Sequence, residues 1–373
     1  MRVLFVSGVA IGGSTRSTRE LARRVAARGH TVAILERTSS TGPRQYVHKR
    51  AVNLRVKLGS SWAARLVDSA AATIGRRPRR EPDEGALEIW STILPENSLP
   101  FVRDAFRPDV VVASSVSRTG WRRMRHLLAR DGIPSALYIR EEAGLGHLSI
   151  SHCPPDLLLA NAHTYADAAE ALGYPATMIP SVVNLDPCRV DSSRERVLFI
   201  NPVASYGVDR AVAIATARPD IGFAFVEWWQ LDDDARATLE GRLAGLPNVE
   251  LRSTVSDPAR LYADASVLLT PYTLDMRPRV VLEAQVNGIP VLATDLPALR
   301  ETVGPGGILV AADAPTSTWV AALAELVDDP TRYAALDAAA RVHAARDEVD
   351  PDVVVSTFVA ALTGLIAPSA THP

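Results

Sequence analysis

The chain has 373 residues, 47% of them hydrophobic and 22% charged, enough for two domains with separate cores and too apolar for a disordered protein. Its 40 basic and 42 acidic side chains leave a net charge of −2, so no whole-molecule field favours nucleic acid or a membrane. Two cysteines, Cys153 and Cys188, are too few for a disulfide framework or a cysteine-rich metal site.

The stretch Met1 to Ala10 is apolar for too few residues before Gly12-Gly13 to read as a secretory signal, and no run approaches the ~20 apolar residues of a membrane span. The expectation is a cytoplasmic protein. Lys49 and Lys57 are the only lysines, so 38 of the 40 basic residues are arginine.

Short β-branched runs alternate with stretches of helical period, the pattern of βα units around a parallel sheet. Val3 to Val9 predicts a strand, Ser14 to Arg28 a helix with Leu21, Ala22, Val25 and Ala26 inward, and Thr31 to Leu35 a second strand. Strand Asp109 to Ala113, helix Gly120 to Arg130, strands Ser135 to Ile139 and Asp156 to Ala160, and helix Thr164 to Leu172 come next. This half reads as one doubly wound domain over 1–183.

Within it, about 44–80 departs from the pattern: ten basic residues stand against one acid, Asp68, a net of +9 that leaves −11 for the rest. Two readings fit. One is an amphipathic element for an anionic membrane surface or an anionic acceptor, using Trp62, Leu66 and Val67; the other is a solvated insertion.

Pro180 to Ser193 is rich in turn formers and reads as a linker. A second βα series over 184–349 has strands Arg196 to Ile200, Gly222 to Val226, Val249 to Arg252, Val267 to Thr270 and Val291 to Thr294. Its helices are Asp209 to Ala217, Asp232 to Leu243, Pro258 to Ala263, Arg279 to Asn287, Thr318 to Leu326 and Pro330 to Asp347. A closing helix over 350–366 is expected to cross back to the first domain, and 367–373 is a loose tail. Two similar halves imply a cleft between them.

Two places carry candidate chemistry. Gly12-Gly13-Ser14, between the first strand and helix, puts free N–H groups and small residues at a helix start, where an anion binds or where a turn simply needs glycine. In Leu269 to Val291, a strand ends at Pro271, a loop carries Asp275, and Pro278 precedes the helix presenting Glu283. Two carboxylates so placed face a ligand at the carboxyl edge of a parallel sheet, or serve as a surface acid and a capping acid.

This second stretch resembles the donor-binding motif of retaining glycosyltransferases of the GT-B fold, family 4 (glycosyl transferases group 1). Glu283-Ala284 and Gly288-Ile-Pro290-Val291 match the pattern, and Asp275 stands where the family has Glu. Further blocks agree in order: Gly12-Gly13, Gly29-His30-Thr-Val32, Leu158-Leu-Ala-Asn161, Leu261-Tyr-Ala-Asp-Ala-Ser266 and Gly304-Pro-Gly-Gly307.

The resemblance implies an α/β protein of two Rossmann-like doubly wound parallel-sheet domains facing across a cleft, the first for acceptor and the second for a nucleotide-sugar donor. By motif position Glu283 would take the ribose hydroxyls, Asp275 the transferred sugar, and Thr254 and Val255 would lie near the base. The family's Arg and Lys clamp on the diphosphate is missing: Tyr206 replaces the Lys, and no lysine exists in the second domain. Arg277 and Arg279 are the substitutes, with Gly12 and Gly13 on the first-domain side. Where relatives carry a His-Asp pair, this chain has Arg140-Glu141. Glu141 would then receive a proton from the acceptor hydroxyl, Arg140 would bind an anionic acceptor or the diphosphate, and His147 is an alternate base.

The resemblance thus sets the expectation of a metal-independent, cofactor-free retaining transferase. It would use a UDP-, GDP- or dTDP-sugar and a small-molecule or lipid-linked acceptor such as a secondary-metabolite or cell-envelope precursor, with no nucleic-acid partner and with membrane contact through 44–80 left open. The alternative is a catalytically weak GT-B protein that binds a nucleotide sugar or supports a partner enzyme.

Overall fold

The computed structural model of the chain describes residues 1–9, 12–38, 77–81, 85, 87–148, 153–228, 231, 233–253 and 257–367. Met1–Val182 with Asp352–Pro373 form one compact unit and Val183–Pro351 the other. Most of the basic segment, 44–76, as well as Thr254 and Val255, lies outside the described residues.

The first unit contains β1 (Arg2–Ser7), α1 (Gly13–Ala27), β2 (Thr31–Arg37), β3 (Arg79–Arg80), β4 (Leu87–Thr92), α2 (Pro95–Phe106), β5 (Val110–Ser114), α3 (Arg118–Arg130), β6 (Ser135–Ile139), β7 (Leu157–Ala160), α4 (His163–Ala171) and β8 (Ala176–Met178). The strand order β3-β4-β2-β1-β5-β6-β7-β8 is parallel except for the edge pair β3 and β4, where Arg79 faces Ser91 and Arg80 faces Trp90. Phe5 pairs with Ile34 on one side and Val112 on the other, which makes β1 the centre of the sheet and the gap between β1 and β5 its switch point.

Apolar side chains on every residue of β5 and β6 except the terminal serines are what a strand covered on both faces requires. One face packs Leu21, Ala22 and Val25 of α1 against Val3, Phe5, Val32 and Val112. Onto the same face falls the last helix, α12 (Pro351–Ile366), through Val354, Val355, Phe358 and Leu362. Phe358 stacks on Phe5 with ring centroids 5.7 Å apart.

The second unit contains β9 (Arg196–Ile200), α5 (Val208–Ala217), β10 (Gly222–Val226), α6 (Asp233–Leu243), β11 (Val249–Arg252), α7 (Pro258–Tyr262), β12 (Ala265–Thr270), α8 (Arg279–Gln285), β13 (Val291–Thr294), α9 (Pro297–Val303), β14 (Gly307–Val310), α10 (Thr316–Val327) and α11 (Pro330–Ala344). The all-parallel order β11-β10-β9-β12-β13-β14 reverses direction between β9 and β12, the doubly wound pattern of dinucleotide folds. Alternation sorts the side chains: Val197, Phe199, Phe223 and Phe225 enter one core, with Trp319 of α10, while Leu198, Ile200, Ala224 and Val226 enter the other, with Val281 and Ala284 of α8.

Local pattern in the sequence does not predict β4, α2, β8, α9 or β14. Pro95 and Pro100 punctuate α2, which nevertheless forms because Leu99, Val102 and Phe106 are fully buried on it. That burial offsets the hydrogen bond Pro100 cannot donate. The strands β8 and β14, at three and four residues, are too short to show a period and exist by pairing with β7 and β13.

Candidate functional site

In the second unit the site residues hang from the carboxyl ends of β9 and β12, either side of the switch point. The loop after β9 makes a tight turn at Gly207, φ 79°, and passes so close to the end of β12 that a Cβ there would lie 1.9 Å from the Pro271 carbonyl oxygen. This approach lets Thr273 donate to the Ser205 carbonyl from its N–H at 3.2 Å and its hydroxyl at 3.1 Å. It also stacks Tyr206 on Tyr272, centroids 4.4 Å apart and planes 17° from parallel. Tyr206, at the position expected to hold a phosphate-binding lysine, thus lies against a buried aromatic ring, and burial pushes the Tyr272 phenol well above its usual range.

Glu283 is 3% exposed, on a helix whose inner face is sealed by Val281, Leu282 and Ala284. Its two oxygens have separate partners. Oε2 accepts from the Tyr262 hydroxyl at 2.8 Å, and Oε1 accepts from Nε and Nη2 of Arg279, each at 3.2 Å. Burial and the adjoining carboxylate hold the Tyr262 phenol well above its usual range, so it stays a donor. A buried carboxylate requires such pairing, because an unpaired charge at this depth would be strongly disfavoured.

Arg277 donates from Nη2 to Glu348 Oε1 at 2.7 Å. Arg346, also beside Glu348, has its proton affinity lowered to about 10 by burial and by the Arg277 guanidinium. Glu301 also acts on Arg346, so the three arginines Arg277, Arg279 and Arg346 are balanced by the three acids Glu283, Glu348 and Glu301. Asp275, half-buried in the loop before α8, accepts the Ala298 N–H at 2.9 Å through Oδ1 and so caps the first turn of α9. Asn287 ties the site to the incoming chain, donating to the Cys188 carbonyl at 2.8 Å while its Oδ1 accepts the Val190 N–H at 2.9 Å.

No sequence signal singles out Tyr262, Asn287, Arg346 or Glu348 one by one. Tyr262 sits 21 residues before Glu283, in a different helix, and no local spacing announces such a contact; only the family-like block Leu261 to Ser266 hints at it.

In the first unit Gly12, φ 119°, is the residue before α1, and Gly13 begins it. Gly12 supplies no side-chain cap to that helix start. Arg140, at the end of β6, is 7% exposed and donates from Nη1 to the Ser14 carbonyl at 2.7 Å and the Ser14 hydroxyl at 3.1 Å. Its guanidinium lies over the Tyr138 ring, 4.4 Å from the centroid. Glu141, the next residue, is exposed.

His147 differs from its expected role as an alternate base. It is buried, with Nδ1 2.9 Å from the Gly144 carbonyl and Nε2 2.8 Å from the Val116 carbonyl, so each nitrogen abuts a backbone acceptor rather than an incoming hydroxyl. Among the described residues no group of three His, Cys, Asp or Glu side chains gathers as a metal site, and no helix is long and apolar enough to cross a membrane.

Residues 228–329 match the family model for glycosyl transferases group 1. D-inositol 3-phosphate glycosyltransferase of Thermobispora bispora is 39% identical over 106 residues, 28% of this chain and 24% of that protein, so the chain spans about a quarter of this curated relative. Among solved structures, sucrose-phosphate synthase from Thermosynechococcus elongatus superposes with a TM-score of 0.76 at 15% identity, covering 98% of this chain and 99% of that one. Anabaena Alr3699/HepE in complex with UDP-glucose superposes with a TM-score of 0.71 at 13% identity, covering 98% and 100%. The chain as a whole therefore has the GT-B fold, and its residues 228–329 are similar to the glycosyl transferases group 1 family.

Proposed function

We propose that the protein is a retaining glycosyltransferase that moves a sugar from a nucleotide-diphosphate donor to a hydroxyl-bearing acceptor. The observation that carries this reading is Glu283: a carboxylate buried to 3% exposure, oriented by Tyr262 and Arg279, inside the segment that matches the family model. A fixed carboxylate accepts two neutral hydroxyl donors at once, which suits a ribose diol. A UDP-sugar donor is supported by the neighbour solved with UDP-glucose, and a hydroxyl acceptor on a small polar molecule by the name of the inositol phosphate relative.

In this chemistry the bond from the anomeric carbon to the β-phosphate oxygen breaks, and the acceptor oxygen bonds to the same face of that carbon. The acceptor's proton passes to the departing phosphate, so no protein nucleophile and no metal ion is used. Arginine then has to neutralise the diphosphate, and in the second unit Arg277 and Arg279, beside the start of α8, are the guanidinium groups this reading assigns to it, each exchanging its carboxylate partner for the ligand. Asp275 is the acid of the sugar subsite in this reading, and Glu141 the acceptor-side carboxylate.

A second reading has its own observation. Arg277 and Arg279 are both bonded to carboxylates, Glu348 and Glu283, so a diphosphate must compete with those pairings, which favours a protein that binds a nucleotide sugar weakly and supports a partner. Nucleoside-diphosphate release measured over a panel of UDP-, GDP- and dTDP-sugars with polyol and phosphorylated acceptors separates the two. Release that disappears in Glu283→Gln supports transfer; saturable binding with no release across the panel overturns it in favour of the second reading.

A further inference from the structure

The two arginine–carboxylate pairs around α8 are buried to different extents. In the Arg279 and Glu283 pair both side chains are inside, 10% and 4% exposed, and Tyr262 holds the acid from its other oxygen. In the Arg277 and Glu348 pair the arginine is 5% exposed and the acid 36%. Separating the second pair therefore strands only the arginine. Glu348 can turn into water, which solvates a carboxylate well, whereas the Arg277 guanidinium stays where an unpaired charge is strongly disfavoured. An anion that reaches Arg277 removes that penalty, so Glu348 is the counter-ion that a ligand can most readily replace.

The backbone that carries Glu348 is anchored by groups other than the ion pair. It forms a single helical turn over Asp347–Val349, in which the Val349 N–H donates to the Arg346 carbonyl at 3.1 Å. Val349 is 6% exposed and packs with Leu282 and Val286 of α8, Ala344 of α11 and Val183. The acid is thus delivered to the flank of the donor helix by apolar packing, and its side chain keeps the freedom to turn. Arg346 brings a second guanidinium, Nε 3.9 Å from Glu348 Oε2, and the Arg277 charge helps to lower its proton affinity. Two like charges therefore share this acid, with Glu301 also acting on Arg346. When Glu348 turns away, their repulsion is relieved best by an incoming group that carries more negative charge than a carboxylate. A diphosphate meets that condition and a neutral ligand does not.

We infer that Glu348 is a positioning residue of the donor site, holding the Arg277 guanidinium in place before the donor binds and yielding it to the diphosphate when the donor arrives. The inference rests on the transferase reading, which supplies the diphosphate. It also makes a demand that a purely structural ion pair does not. Removing the Glu348 charge should leave the ligand-free protein no more stable, and yet should tighten its binding of a diphosphate.

The full chain and its Glu348→Gln and Glu348→Asp variants are titrated calorimetrically with UDP, GDP, inorganic pyrophosphate and uridine at constant ionic strength, and ligand-free stability is read by chemical denaturation. Glu348→Gln keeps an acceptor for Arg277 and loses the charge. Pyrophosphate and the preferred nucleotide are expected to bind it about three- to tenfold more tightly than wild type, the scale that separates a charged from a neutral hydrogen-bond partner. Uridine, which has no phosphate, should bind both alike. Glu348→Asp retains the charge and should return the affinities toward wild type. In an Arg277→Met background the gain from Glu348→Gln should vanish, because the two residues act as one unit. If Arg277→Met does not fold, the return seen in Glu348→Asp carries the comparison. Nucleotide and pyrophosphate binding that is equal in wild type and Glu348→Gln, or weaker in the variant, overturns the inference and leaves the donor site standing. A gain of the same size for uridine overturns it too, by moving the effect away from the phosphates. Wild type that binds neither nucleotide nor pyrophosphate overturns the transferase reading and the inference together.

Discussion

Arg279 and Glu283 lie one helical turn apart on α8, and the guanidinium bonds the same carboxylate oxygen, Oε1, through Nε and Nη2, each at 3.2 Å. The residue expected to hold phosphate and the residue expected to hold ribose are therefore partners of each other. Substrate entry at this helix would exchange part of that pairing for contacts to the ligand.

Removing one side of the pair is expected to destabilise the fold as well as donor binding. Arg279→Met leaves a buried carboxylate with only Tyr262, a loss of about 3–5 kcal/mol by analogy with broken buried pairs. Glu283→Gln keeps an acceptor for the Tyr262 hydroxyl, so it should cost less stability while reducing nucleotide-dependent stabilisation strongly. Chemical denaturation read beside nucleotide titration checks both arms; equal nucleotide binding by wild type and Glu283→Gln would remove Glu283 from the donor site.

Gly207 is the hinge on which the Tyr206–Tyr272 stack depends. Alanine there meets both a positive φ and the Pro271 carbonyl, and the expected cost is more than about 1 kcal/mol. Denaturation midpoints report it, with near-ultraviolet circular dichroism reporting the loss of ring packing. A variant as stable as wild type would show that the loop after β9 tolerates displacement.

The closing helix is an integral part of the first core rather than an appendage. Phe358→Ala, which empties the space against Phe5, is expected to cost about 3–5 kcal/mol. Truncation before Pro351 should unfold the first unit while the second keeps its own transition. Calorimetry that shows both transitions unchanged after truncation would contradict this packing.

His343 introduces an acid sensitivity. Burial, then the charge of Arg346, lowers its proton affinity below the ordinary value, while Nε2 contacts the Glu301 carbonyl at 3.2 Å. The unfolded chain therefore takes up this proton first, so stability present above about pH 6.5 is lost as the pH falls through the depressed value. His343→Gln should flatten the stability profile between about pH 7 and 5. A profile with the same slope as wild type would assign the acid limb to other groups.

Much of the fold was legible in the residues themselves, because strands covered on both faces and amphipathic helices write their burial into local periods. Strands β6, β9, β10, β11 and β13 fall on their expected boundaries, and α1 shifts by only one residue at each end. The motif around Glu283 was readable for the same reason: Pro271, Asp275, Pro278 and Gly288 are close in sequence, and each answers to a local constraint. What sequence could not decide is which polar groups meet. Tyr262 with Glu283, Arg277 with Glu348, Arg140 with Ser14, and His147 with two carbonyls join residues 21, 71, 126, 3 and 31 positions apart. Such pairs are set by where parallel strands end and how buried charges and donors find partners at those ends, and that matching exists only once the sheets have formed.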